Sequence, residues 1–164
     1  MTMAEGYLAA ACRYGVLLTI AALLSGLLAL QPVRAQERPA APPDEAAIRA
    51  VVDGFHAALA TGDSIRALGY LHPDLVVYES GHAETMAEYR SGHLASDIEF
   101  SRAVGFETVR DAVVTGSDLS LFIREYRVKG TFRGREIDAH GVETIVLART
   151  PEGWKIRHIH WSSR

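Results

Sequence analysis

The sequence predicts an α+β fold, with the helices first and a run of antiparallel strands after them. Two observations carry this. Between Asp44 and about Leu94 helix signals dominate, broken by one β-rich run, and from Phe106 onward the period falls to two, with turn signals between the runs. A chain ordered in this way lays its helices on one face of a sheet.

The elements follow in order. Asp44 reads as a helix N-cap, after which Ile48, Val51, Val52, Phe55 and Leu59 form an apolar stripe that Gly62 ends. Asp63 or Ser64 caps a second, shorter helix through Leu71, which His72-Pro73 closes. Leu75 to Glu79 is a β-rich run. Thr85-Met86-Ala87-Glu88 has the capping-box pattern and opens a third helix through about Leu94. Strands are then expected over 106–114, 119–128, 135–148 and 154–161. Gly116-Ser117, Arg133-Gly134 and Pro151-Glu152-Gly153 supply the turns between them.

The first 35 residues read as a targeting segment. Arg13 precedes the apolar run Val16 to Leu30, and Val33-Arg34-Ala35 has the small residues of a cleavage site. The run is short of the ~20 residues that span a bilayer, so cleavage after Ala35, export to the periplasm or beyond, and no lasting membrane insertion are expected. Residues 36–43 form a Pro/Ala leader and 44–164 one domain. The single cysteine, Cys12, leaves with the targeting segment, which removes disulfide, thiolate and zinc–thiolate chemistry from the domain. A formal charge of −3 offers nothing to track a phosphate backbone, so no nucleic-acid partner is expected.

The C-terminal segment GWKIRHIHWSSR raises the question of chemistry. Side chains at i and i+2 of a strand share a face, so His158 and His160 should align with Trp154 and Ile156. A hairpin centred on Pro151-Glu152 pairs Leu147 with Ile156, Ile145 with His158 and Glu143 with His160. That brings a carboxylate beside an imidazole. Turning at Arg133-Gly134 sets Arg124 opposite Glu143, which reads as a salt bridge. Two imidazoles on one face suit a general base, a proton shuttle or a metal-ligand pair, and equally suit hydrogen-bonded structural histidines. Tyr89 and His93 share a face of the third helix. His56, beside the first apolar stripe, and His72, before a proline, read as structural, and His82 as exposed.

Phe55, the Ala60–Asp63 turn, the segment LHPDLVVYESG and the ending VETIVLARTPEGWKIRHIHWSSR resemble the nuclear transport factor 2-like superfamily. The ending is similar to the C-terminal hairpin of SnoaL-like proteins and of the association domain of calcium/calmodulin-dependent kinase II. The resemblance covers about residues 44 to 164. It implies a cone-shaped, cystatin-like fold: three N-terminal helices in the concave face of a curved antiparallel sheet, with a cavity at the open end. Members act as isomerases, cyclases, dehydratases, ligand binders or assembly modules, so fold alone does not choose among them. The isomerases and cyclases use a pocket aspartate as base. Asp97 and Asp138 lie in segments whose orientation the sequence does not fix.

With the cone in place, Glu79, Tyr89, His93, Glu143, Trp154, His158 and His160 are the expected pocket residues. His158 or His160 would act as base, with Tyr89 as hydrogen-bond donor. His93, His158, His160 and Glu79 would suit zinc, copper or iron. The spacing carries no metal signature, however, and no resident cofactor is the primary expectation. The readings are a small-ligand binder, a lyase or isomerase, and a homo-oligomeric module. An outer sheet face bearing Ile159, Trp161, Val146 and Ala148 would make a homodimer.

Overall fold

Pro43 opens the first helix, where Asp44 had been expected to cap it. The computed structural model describes residues 43–164, and helix α1 spans Pro43–Thr61. A proline fits the first turn because its missing N–H has no partner there anyway. Asp44 instead lies inside that turn and takes the Arg149 guanidinium at 2.7 Å. The targeting segment and most of the leader fall outside the described residues. Ile48, Val52, Phe55 and Leu59 form the buried stripe of α1. Gly62, at φ +81°, ends it in the left-handed conformation that glycine adopts freely. Asp63 caps α2 (Ser64–Gly69), accepting the Arg66 N–H at 2.9 Å.

Strand β1 (Leu71–Glu79) turns through Ser80 and Gly81, both at positive φ, into a short β2 (His82–Thr85). Two left-handed residues in a tight turn make a hairpin, an element the sequence reading missed. Thr85 and Glu88 form the expected capping box at the start of α3 (Met86–Glu88). The helix does not stop near Leu94. It passes through a π-helical turn (Tyr89–His93) into α4 (Leu94–Ala103). The wider turn shifts the helical phase, so the apolar positions on its two sides do not read as one continuous stripe.

Strands β3 (Val104–Val114), β4 (Leu119–Phe132), β5 (Arg135–Thr150) and β6 (Gly153–Ser163) complete a six-stranded sheet in the order β2-β1-β6-β5-β4-β3. The fold class is α+β, as expected, but the sheet is mixed. β1 runs parallel to β6, while the other neighbours are antiparallel. A hydrophobic pattern reports which face of a strand is buried, not the direction of its neighbour, so this pairing was not readable. The core joins α1 to the inner sheet residues Val77, Phe122, Ile145, Leu147, Ile156 and Ile159. Among the described residues no helix is long and apolar enough to cross a membrane.

One register detail governs the site. The last hairpin pairs Leu147 with Ile156 as expected, but the next pair is Val146 with His158, so Arg157 is an extra, unpaired residue. Such a β-bulge moves every later side chain to the opposite face. Ile159 is fully buried and Trp161 turns inward, whereas His160 is exposed.

Candidate functional site

The open end of the domain holds a cavity of about 440 Å³, counting its mouth. α1 contributes His56 and Leu59, and α4 contributes Asp97, Phe100 and Ser101. The sheet adds Glu79, Phe106, Arg124, Tyr126, Glu143 and Trp161. Four aromatic rings therefore surround two separate charged groups.

The first group centres on Glu143, whose side chain is fully buried. Arg124 faces it across the β4–β5 ladder, Nη2 to Oε1 at 3.2 Å, as the hairpin arithmetic required. His56 Nε2 lies 3.1 Å from Oε2, and the Trp161 indole N–H donates to Oε2 at 2.6 Å. Burial alone would raise the Glu143 carboxyl, but His56, Arg124 and Trp161 together hold it below the usual carboxylate range. The Arg124 guanidinium also stacks 5.2 Å from the Tyr126 ring centre. Burial, reinforced by the Glu143 charge, pushes the Tyr126 hydroxyl up to about 12.

The second group centres on His93. Its Nδ1 meets Glu84 at 3.0 Å and its Nε2 meets Glu79 at 3.1 Å, with Asp97 Oδ1 at 3.4 Å. The Tyr89 hydroxyl, fully buried behind the wall, donates to Asp97 Oδ2 at 2.8 Å. Burial is the largest influence on Asp97 and outweighs the help of His93 and Tyr89, leaving its carboxyl at about 6. Burial likewise raises Glu79. Burial disfavours the charged form of His93, yet Asp97, Glu84 and Glu79 hold its pKa above the ordinary value. As an imidazolium with both N–H groups donating, His93 balances part of this negative charge.

These positions correct several expectations. His158 and His160 do not face the cavity, because the bulge at Arg157 turns both to the convex side. His158 donates from Nδ1 to the Val76 carbonyl at 3.0 Å and packs edge-on against Tyr78. Glu143 pairs with Trp161 across the ladder, not with His160. Trp154 faces inward but at the far end, where its indole meets Asp44 at 3.4 Å and Arg149 stacks on its ring at 4.3 Å. The proposed metal set therefore does not assemble: of its four members only Glu79 and His93 meet. Asp97 joins them, with ligand atoms all within 4.8 Å. One imidazole and two carboxylates are donors that zinc or iron accepts. His93 Nε2 already lies within hydrogen-bonding range of Glu79, however, so a cation would have to displace its proton.

Glu79, His93 and Glu143 do belong to the two charged groups, and Tyr89 acts on one of them through Asp97. Sequence reasoning left the orientation of Asp97 open, read His56 as structural and placed Trp161 on the outer face, whereas all three line the cavity. Asp97 stands four residues beyond His93, a helical interval that becomes visible once the helix is extended past Leu94. Asp138, the other aspartate of uncertain orientation, is exposed on β5 and pairs with Lys129 at 3.2 Å.

Comparison with known proteins agrees with this architecture. The family model described as SnoaL-like domain matches residues 48–164. A candidate ketosteroid isomerase from Shewanella frigidimarina NCIMB 400 is 30% identical. The match covers 71% of this chain and 94% of that one, with a TM-score of 0.68. A candidate dehydratase of the nuclear transport factor 2-like family from Streptomyces avermitilis is 18% identical, with 73% and 95% covered and a TM-score of 0.64. The calcium/calmodulin-dependent kinase II hub of S. rosetta is 19% identical, with 76% and 99% covered and a TM-score of 0.65. These last two likenesses show the fold alone. No curated protein sequence matches. With its family model matched over most of its length and its cone completed by Trp161 of the final strand, the chain belongs to the SnoaL-like domain family of nuclear transport factor 2-like proteins.

Proposed function

We propose that the cavity binds a small organic molecule and acts on it as a lyase or isomerase, with Asp97 moving a proton at carbon. One observation carries this reading: a carboxyl at about 6 in the cavity wall, oriented by Tyr89 and flanked by His93. A base works best when its pKa lies near the operating pH. Tyr89 fixes Oδ2, so Oδ1, held only loosely by His93 at 3.4 Å, is the oxygen free to take the proton. Returning that proton to another carbon completes an isomerisation; losing a neighbouring hydroxyl as water completes an elimination. The likeness to the Shewanella frigidimarina candidate isomerase supports the reading.

The test uses deuterium exchange. Ketones and keto acids incubated with the protein in D₂O should gain deuterium beside the carbonyl. The rate should rise with pH through an inflection near 6, because the ionised carboxylate is the active form. No exchange across the series, together with an Asp97 carboxyl titrating near 4 by carbon NMR, would reject the proposal.

The apolar run of the targeting segment supports export, in which case N-terminal sequencing of the exported protein reads Gln36 or a near neighbour first. A homodimer is also part of the proposal, through a corrected set of residues. Ile159 and Trp161 are not on the outer face, but Val114, Leu119, Ile123 and Val142 are between 43% and 57% exposed there. Adjacent outer strands carrying this much apolar surface favour burial against a second copy. Light scattering should give a dimer mass at micromolar concentration, and Ile123→Asp a monomer. A wild-type monomer would remove the support.

A further inference from the structure

Arg124 uses its donors sparingly for a buried guanidinium. Its side chain is 12% exposed, and only Nη2 reaches a carboxylate, Glu143 Oε1 at 3.2 Å. Nη2 also lies 3.0 Å from His56 Nε2. That imidazole nitrogen cannot both accept from Arg124 and donate to Glu143, so at most one of the two contacts is a bond at a time. The Nε–H is buried and has no partner among the described residues. An arginine carries five N–H donors in a rigid fork, and a buried donor left unmade is costly enough to call for an explanation. Ordinary ion-pair roles do not supply one here, because Glu143 already receives His56 and Trp161 as well.

The rest of the cavity supplies a direction. The first charged group sets two basic side chains, Arg124 and His56, against the one carboxylate of Glu143, the second sets the carboxyls of Glu79 and Asp97 against His93, and Phe100, Phe106 and Tyr126 lie in the same cavity. An anion is welcome at the first and repelled at the second. We infer that Arg124 recognises the carboxylate of a small organic acid whose apolar body lies along the aromatic rings, toward Asp97. The inference rests on the proton-transfer reading for what happens next, and names the substrate class of that same site. A guanidinium fork matches a planar carboxylate by two parallel hydrogen bonds, which a lysine cannot reproduce.

The experiment compares isosteres on the intact domain. Phenylacetate and 4-oxo-4-phenylbutanoate are titrated by calorimetry against the corresponding primary amides. Each acid should bind at least about tenfold more tightly than its amide, and added salt should weaken the acid more than the amide. Arg124→Lys should erase most of that ratio. Because changing Arg124 alone strands Glu143, the paired variant Arg124→Met with Glu143→Leu is measured too, and should bind acid and amide alike. Equal binding in the wild-type protein, a preference that survives in the paired variant, or no binding of any acid at millimolar concentration would each overturn the inference. Inorganic phosphate displacing the acids at similar concentration would overturn it as well, since the site would then read charge without the organic body. Asp97→Asn should keep the acid preference. Preference without deuterium exchange would therefore leave the anion site standing and reject only the proton-transfer reading.

Discussion

Glu143→Ala is expected to cost about 3–5 kcal/mol of stability, the usual effect of removing one partner from a buried ion pair. The carboxylate is fully enclosed and receives Arg124, His56 and the Trp161 indole. Alanine leaves the guanidinium in a poorly solvated site with no counter-charge, and opens a void beside the His56 and Trp161 rings. Glu143→Gln should cost less, because its amide oxygen still accepts from Trp161 while the charge is lost. The paired Arg124→Met, Glu143→Leu variant should recover much of the loss, since a well-packed apolar pair often matches a buried ion pair. Urea unfolding with an unchanged slope would read the difference directly. A midpoint for Glu143→Ala within error of the wild type would show that water enters the site and that the pairing carries little.

The pairing behind that prediction was legible because a two-residue turn fixes it. Arg133 and Gly134 both take positive φ, leaving no slack between β4 and β5, and Arg124 falls opposite Glu143. The same arithmetic failed one hairpin later for a physical reason. Between Trp154 and Trp161 the inward apolar positions are 154, 156, 159 and 161, so two polar residues, Arg157 and His158, stand in succession. Strict alternation read past this doubling and carried both histidines into the cavity. The doubled polar pair was itself the sign of a bulge, and Arg157 reaches the Asp74 carbonyl from that position. Hydrophobic burial of Ile159 settles the phase of the strand end, since inserting His158 and His160 instead would bury polar rings at the expense of apolar ones.

The helical half of the site was hidden differently. His56 directly follows Phe55 on α1, so it lies at the margin of the apolar stripe, and such margins border the cavity where the sheet curves away. A helix read alone gives no sign of which margin opens onto a cavity and which onto solvent. Asp97 was lost with the end of its helix. Tyr89 and His93, with ring centres 5.9 Å apart, both reach Asp97 beyond the π-helical turn. Local propensity does not report a turn that tertiary packing stabilises.

Asp97→Asn should remove the proposed activity and stabilise the protein at the same time. Loss of a positioned general base typically lowers turnover by about 10²–10⁴-fold. The stability effect follows from the sign of the shift. The Asp97 carboxyl stands at about 6 in the folded chain, against about 3.9 for an unstructured aspartate. Between those values the folded state holds more protons than the unfolded state, so the contribution of Asp97 to stability falls as pH rises and stays unfavourable above 6. Asparagine keeps an oxygen to accept the Tyr89 hydroxyl and carries no charge to desolvate. The variant should therefore come close to the wild type near pH 4 and exceed it by roughly 2–3 kcal/mol at pH 8. His93, whose own pKa is held up partly by Asp97, should titrate lower in the variant. Thermal melts at the two pH values and proton NMR of His93 measure these effects separately. An Asp97→Asn variant that is less stable than the wild type at pH 8 would mean that His93 and Tyr89 favour the ionised carboxylate more than burial opposes it, and the base would then be too weak for the chemistry proposed.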